Sequence, residues 1–187
     1  MQAVIDACES GRLANVRIVR VISSRADAGA IARAEKHGIP VTVIAKKDFP
    51  CKETLDATLV AALREAETDI VLLAGYMSVL GAEVIKHYKG KIINIHPSLI
   101  PKYCGKGYYG LHVHEAVIAA GETESGATVH YVDEGVDTGP IILQREVAVL
   151  PGDTAQMLAA RVLETEHEIL VEAIAAVTAD LDKREEK

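Results

Sequence analysis

Three polar residues of the 187-residue chain have the types and spacing for acyl-transfer chemistry. Asn94 and His96 stand two apart in the stretch KIINIHPS, which reads as a strand end, so their side chains project to the same side. An amide placed there can donate to a developing oxyanion. An imidazole can move protons near neutral pH. Asp137, in the loop that runs from Asp133 to Pro140, can orient that imidazole and favour its charged form. The same trio also describes a hydrolase, and a histidine at a strand end is more often a hydrogen-bonded structural residue than a catalyst. Ser98 lacks a GxSxG turn, which argues against a serine nucleophile. His112 and His114 form a short imidazole pair, but no carboxylate or cysteine cluster completes a ligand set, so no metal is expected.

These residues need elements that bring them together, and the pattern supplies alternating helices and strands. Residues 1–10 place Val4, Ile5 and Cys8 at helical spacing, with Gly11 as a stop. Residues 16–23 (VRIVRVIS) and 40–45 (PVTVIA) are β-branched and read as strands. Between them, residues 27–37 read as a helix with Asp27 as N-cap and Gly38 past its end. Residues 53–66 are amphipathic, with Leu55, Leu59, Ala62 and Leu63 on one face. Residues 70–74 and 91–95 read as strands around a short helix at 81–88. A long loop follows, rich in Pro and Gly, whose part Cys104–Gly110 reads as a mobile lid or a tight fold-over. A helix at 112–120, strands at 126–132 and 141–149, and a long helix from Asp153 to about Leu181 complete the chain. Strand–helix repeats argue for a parallel sheet. The eight residues between the last two strands are too few for a crossover, so that pair is antiparallel and the sheet is mixed. In open α/β sheets ligands sit beyond the carboxyl ends of the strands. The loop 75–80, the segment that begins at Asn94, and the loop 133–140 are therefore the candidate site.

Composition narrows the function. Apolar residues make up 49%, which excludes disorder as the main state. Three scattered cysteines argue against a disulfide scaffold and for a reducing, cytoplasmic setting. No apolar run is long enough to span a membrane. A net charge of −7, no Trp and a single Phe argue against nucleic acid as a partner. The stretch Lys86–Lys106 nonetheless holds five lysines and no acid, a local positive field suited to an anionic substrate.

The run Asn94-Ile-His-Pro-Ser-Leu-Ile-Pro-Lys-Tyr103 resembles the signature of the folate-dependent formyltransferases. The blocks LAGYM (73–77), SGATVHYV (125–132), DTGPIILQ (137–144), ARV (160–162) and Glu166-His167 extend the resemblance over nearly the whole chain. It implies one formyltransferase domain, residues 1–187, with a Rossmann-like three-layer α/β fold and a mostly parallel, mixed sheet. The activity it implies is transfer of a formyl group from 10-formyltetrahydrofolate to the amine of glycinamide ribonucleotide, by direct attack through a tetrahedral intermediate. His96 would be the general acid, Asn94 the oxyanion donor, and Asp137 the partner of His96 and relay for the amine proton. Folate would meet Lys52, Met77, Ser78, Val79, Leu80, Asn94, Val132, Asp133, Glu134 and Gly135. The ribonucleotide would meet Gly75, Pro97 and Glu166. Lys52 stands where the family usually has arginine, which keeps the charge and loses the fork. The enzyme would need no metal and would work as a monomer or homodimer. The family pattern opens with a strand and a phosphate-holding turn that have no counterpart in residues 1–187, so the resemblance implies weak ribonucleotide binding by this chain. Two alternatives stay open: a formyltetrahydrofolate deformylase, against which Pro97 stands in place of that group's second histidine, and an inactive folate-binding module.

Overall fold

Two compact units make up the computed structural model, residues Met1–Ile92 and Ile93–Lys187, and residues 1–185 are described. The single-domain reading extends to residues 186–187, which lie outside the described residues. In the first unit, α1 (Gln2–Glu9) buries Val4, Ile5 and Ala7, and Gly11 follows it at φ 77°, a conformation that glycine adopts without Cβ strain. Strands β1 (Val21–Ser23) and β2 (Val41–Val43) pair in parallel, Val21 opposite Val41. The ladder is shorter than the β-branched run at 16–23 suggests. Pro40 has no N–H to give, so only its carbonyl serves the pair, accepting from Val21 N at 2.9 Å.

Helix α2 (Gly29–Lys36) begins two residues later than the pattern suggests. The Asp27 carboxylate is taken by the Arg25 guanidinium, at 2.9 and 2.6 Å, and Ala28 occupies the N-cap with no side-chain bond. Helix α3 (Lys52–Glu65) buries Leu55, Leu59, Val60, Ala62 and Leu63, as its amphipathic pattern requires. It also buries one carboxylate, Asp56. Strand β3 (Val71–Leu73) leads into the loop 74–81 and α4 (Ala82–His87), whose Val84 and Ile85 are buried.

Strand β4 (Ile92–His96) carries the chain into the second unit. There β4, β5 (Glu124–Tyr131) and β6 (Ile141–Ala148) form an antiparallel meander. β5 lies in the middle and is buried on both faces over residues 125–130, with Ala127, Thr128 and Val129 wholly excluded from solvent. The antiparallel β5–β6 pairing agrees with the short connection between them. Together with the parallel β1–β2 pair it makes a mixed α/β protein. Helix α6 (Ala155–Glu185) packs on β5, β6 and α5 (Leu111–Ala119). It buries Leu158, Val162, Ile169, Leu170 and Ala173, which recur at helical spacing. Arg145 of β6 reaches Glu168 and Glu172 of α6, at 3.0 and 2.8 Å, and Arg161 holds Asp153 at 2.7 Å. Among the described residues no helix is long and apolar enough to cross a membrane.

Candidate active site

The antiparallel register of β4 and β5 builds the site. Asn94 stands opposite His130, and His96 stands opposite Thr128. Residues two apart on a strand share a face, and directly opposed residues are neighbours on that face. Four side chains therefore meet on one surface. Asn94 Nδ2 lies 3.2 Å from His130 Nε2. His130 Nδ1 donates to the carbonyl of Tyr131 at 2.8 Å, since a carbonyl only accepts. In the neutral ring Nε2 then carries the lone pair and accepts from the Asn94 amide. One Asn94 N–H and its side-chain oxygen are left for a substrate.

His96 is fixed by the same logic. Its Nε2–H donates to the Tyr103 carbonyl at 2.9 Å, so Nδ1 is the nitrogen that faces Asp137, 3.6 Å from Oδ2. That separation is an ion-pair approach and not a hydrogen bond. A proton on Nδ1 is therefore not locked to the carboxylate. Asp137 Oδ1 also lies 3.6 Å from His130 Nε2, so one carboxylate faces both rings. Burial by itself would raise the Asp137 carboxyl. The ion pair it makes with His130 when that ring carries a proton on Nε2, the Gly105 N–H at 2.9 Å and the charge of His96 together bring it below the ordinary carboxylate value.

The loop after β4 folds tightly at its start, which is what delivers Tyr103 O and Gly105 N to this cluster. Tyr103 and Asp137 both have positive φ, 51° and 58°. Ser98 Oγ donates to Lys102 O at 2.7 Å and is buried, so its hydroxyl braces the loop. Thr128 Oγ1 donates to Ser98 O at 2.6 Å and accepts from Ile100 N at 3.2 Å and from Gln144 Nε2 at 2.8 Å. Thr128 and Gln144 are opposite one another on β5 and β6. A cross-strand ladder thus holds the backbone that follows His96.

Asn94, His96 and Asp137 come together as the spacing suggests, and His130 joins them. His130 lies in the 125–132 block and is not singled out by its type; the signal that could have found it is its two-residue spacing from Thr128, which matches that of Asn94 and His96. The second unit also carries the other predicted residues Pro97, Val132, Asp133, Glu134, Gly135 and Glu166. Asp133 Oδ1 accepts from Gly135 N at 3.0 Å and from Thr138 Oγ1 at 2.6 Å, which shapes the loop after β5. Glu166 is half-buried on α6, and burial pushes its carboxyl up to about 7. Lys52, Gly75, Met77, Ser78, Val79 and Leu80 belong to the first unit. Lys52 opens α3 and is exposed. Met77 and Val79 expose 65% and 59% of their surface, large values for apolar residues, while Leu80 is buried.

His112 and His114 do not converge on a common ligand position. His112 pairs with Glu115 at 3.0 Å, and His114 is buried in α5. Among the described residues no group of three or more potential metal ligands occurs. Cys104 donates from Sγ to Pro101 O at 3.3 Å, and burial raises its thiol, as does the charge of Asp137.

Residues 1–174 match the family model described as formyl transferase. The chain belongs to the formyl transferase family. It is 45% identical over 177 residues to the chloroplastic phosphoribosylglycinamide formyltransferase of Vigna unguiculata, covering 94% of this chain and 56% of that protein. It is 44% identical over 185 residues to the trifunctional purine biosynthetic protein adenosine-3 of Drosophila pseudoobscura pseudoobscura, covering 98% of this chain and 13% of that protein. The chain thus spans less than two thirds of the length of either relative. The crystal structure of phosphoribosylglycinamide formyltransferase from Bacillus halodurans superposes with a TM-score of 0.87 at 36% identity, covering 94% of this chain and 88% of that one. The α/β fold of the family is therefore also the fold of this chain.

Proposed function

We propose that the chain transfers the formyl group of 10-formyltetrahydrofolate to the primary amine of glycinamide ribonucleotide, as a single formyltransferase domain. The observation that carries this reading is the convergence of Asn94, His96, His130 and Asp137 on one face of β4 and β5. The amine attacks the formyl carbon, and a new C–N bond forms as the carbonyl opens to an oxyanion. The free Asn94 N–H donates to that oxyanion. His130 holds the amide in the orientation that leaves this N–H available. The intermediate collapses by breaking the bond to the folate nitrogen, which takes a proton from Nδ1 of His96. Asp137 balances the charge on the ring and, through water, relays the proton lost by the amine back to Nδ1 of His96, so the ring ends as it began. No covalent intermediate on the protein and no metal enter the scheme. Much of the acceleration comes from holding two substrates in line.

Two groups of residues bind the substrates in this reading. Met77, Ser78, Val79 and Leu80, with Val132, Asp133, Glu134 and Gly135, contact folate, and Lys52 meets its acidic tail. The exposed apolar side chains of Met77 and Val79 support that role, because a flat aromatic ring system gives them a surface to cover. Gly75, Pro97 and Glu166 take the ribonucleotide. The enzyme acts on small molecules, as a monomer or homodimer.

The test follows loss of the formyl group from 10-formyltetrahydrofolate with and without glycinamide ribonucleotide. Loss that requires the ribonucleotide, and that falls at least about a hundredfold in His96→Ala, is the expected result. Loss without the ribonucleotide would instead identify a deformylase. Folate binding without any turnover would identify a binding module.

A further inference from the structure

Beneath the loop 74–81 lies a carboxylate that none of the chemistry above uses. Asp56 is on the second turn of α3 and only 5% exposed. A buried carboxylate is costly unless donors face it, so its presence among Leu55, Leu59 and Val60 calls for a reason. One donor comes from the end of the loop. The Gly81 backbone N–H serves the Asp56 carboxyl. Gly81 is buried at the N-cap of α4, and a Cβ built on it would land on the Asp56 carboxylate. Only glycine lets the carboxylate approach this closely. At the other end of the loop, the half-buried Tyr76 also feels the Asp56 charge, and its own hydroxyl is tied to Ser78. Asp56 therefore holds the segment at its Gly81 end and acts on Tyr76 at the other through its charge, with Met77, Ser78 and Val79 exposed between them. Lys52 lies one helical turn before Asp56 on the same helix, close enough to act on its charge.

We infer that Asp56 is a positioning residue for folate: it fixes the 76–81 loop in a folate-binding shape and ties that loop to the helix that carries Lys52. This rests on the folate-binding reading of the loop and names a determinant of it. Asp56 touches no substrate. Its removal acts through the loop, so it changes folate affinity and leaves the acyl-transfer groups in place.

Three variants of the intact chain test this, Asp56→Ala, Gly81→Ala and Asp56→Asn. Each is measured for equilibrium binding of tetrahydrofolate, for amide hydrogen exchange across residues 75–81, and for the Michaelis constants of both substrates. Asp56→Ala removes the acceptor and Gly81→Ala displaces it. Loss of one charge-assisted bond predicts folate binding weakened by about tenfold in both. Exchange in the loop should quicken, with kcat at saturating folate and the ribonucleotide KM within about twofold of wild type. Asp56→Asn keeps an acceptor oxygen at the same place and should restore binding to within about threefold. Gly81→Ala retains the carboxylate, so it supplies the same comparison should Asp56→Ala not fold. Wild-type folate affinity in a folded Asp56→Ala, or an unchanged exchange rate in the loop, overturns the proposal. So does an Asp56→Asn variant that folds and is as impaired as Asp56→Ala. Tetrahydrofolate binding needs no turnover. A wild-type chain that binds it with this dependence on Asp56 but transfers no formyl group therefore supports the positioning role and overturns the transferase reading.

Discussion

Replacing Glu166 by glutamine separates what this carboxyl does for the fold from what it does for a ligand. The side chain is half-buried on α6, and burial raises it from an ordinary 4.5 to about 7. A tenfold change in proton affinity corresponds to about 1.4 kcal/mol, so the charged form is disfavoured in the folded protein by about 3 kcal/mol. The sign follows from proton counting. Between pH 4.5 and 7 the folded protein holds this proton more tightly than the unfolded chain does. Stability therefore falls as pH rises through that window. Below 4.5 both states are protonated and the penalty vanishes; above 7 both are charged and it is complete. Glutamine has the same shape and no charge. Glu166→Gln should match wild type near pH 4.5 and gain stability steadily up to about pH 7.5, reaching about 3 kcal/mol. For a chain of this size that is a rise in Tm of up to about 10 °C. Thermal unfolding of both proteins across this pH range measures it. A difference that does not change with pH would refute the reasoning, because a pure packing effect carries no proton linkage. A residue kept at such a cost to the fold implies use elsewhere. On the ribonucleotide reading, the stabilised variant should raise the ribonucleotide KM and leave kcat near wild type, since only binding is lost.

Two further substitutions probe the cluster on β4 and β5. Thr128→Val keeps the shape and removes three hydrogen bonds to Ser98, Ile100 and Gln144. It should cost about 1–3 kcal/mol in urea unfolding and lower kcat, because the backbone after His96 loses its brace; an unchanged kcat in a folded variant would separate that ladder from catalysis. Asp137→Asn removes a carboxylate held below its ordinary value near 3.8. Wild type should be the more stable protein above that value and lose its advantage as pH falls through the lower folded value, which acid titration of the two proteins followed by circular dichroism would check. Its formyl transfer should fall as well, and transfer equal to wild type would remove Asp137 from the mechanism.

Local patterns announced part of this site, and non-local pairing completed it. Asn94 and His96 share a face because of a two-residue spacing that any strand imposes, so the sequence alone made them a pair. That His130 joins them depends on β4 meeting β5 in one register, across 36 residues, and a one-residue slip would point Thr128 and His130 away. Nothing local fixes that register. The Tyr103 carbonyl and the Gly105 N–H arrive through a loop in which a tyrosine adopts positive φ, a choice that composition does not signal. Local rules also misled where a nearer partner competed: Asp27 has the type for an N-cap, yet Arg25, two residues away, takes its carboxylate. Asp56 was hidden for the opposite reason. On an amphipathic helix a lone aspartate reads as solvent-facing, and only a glycine 25 positions later, without a Cβ, makes room for it inside. The legible residues are thus those whose role follows from their own strand or helix. Those that required the structure, His130, Thr128 and Asp56, owe their positions to a second segment distant in the chain. In the proposed function each of the three orients other groups: the Asn94 amide, the backbone after His96, and the loop 76–81. Changing them should alter geometry before it alters chemistry, which is why exchange rates and the split between KM and kcat are the measurements that separate their roles from that of His96.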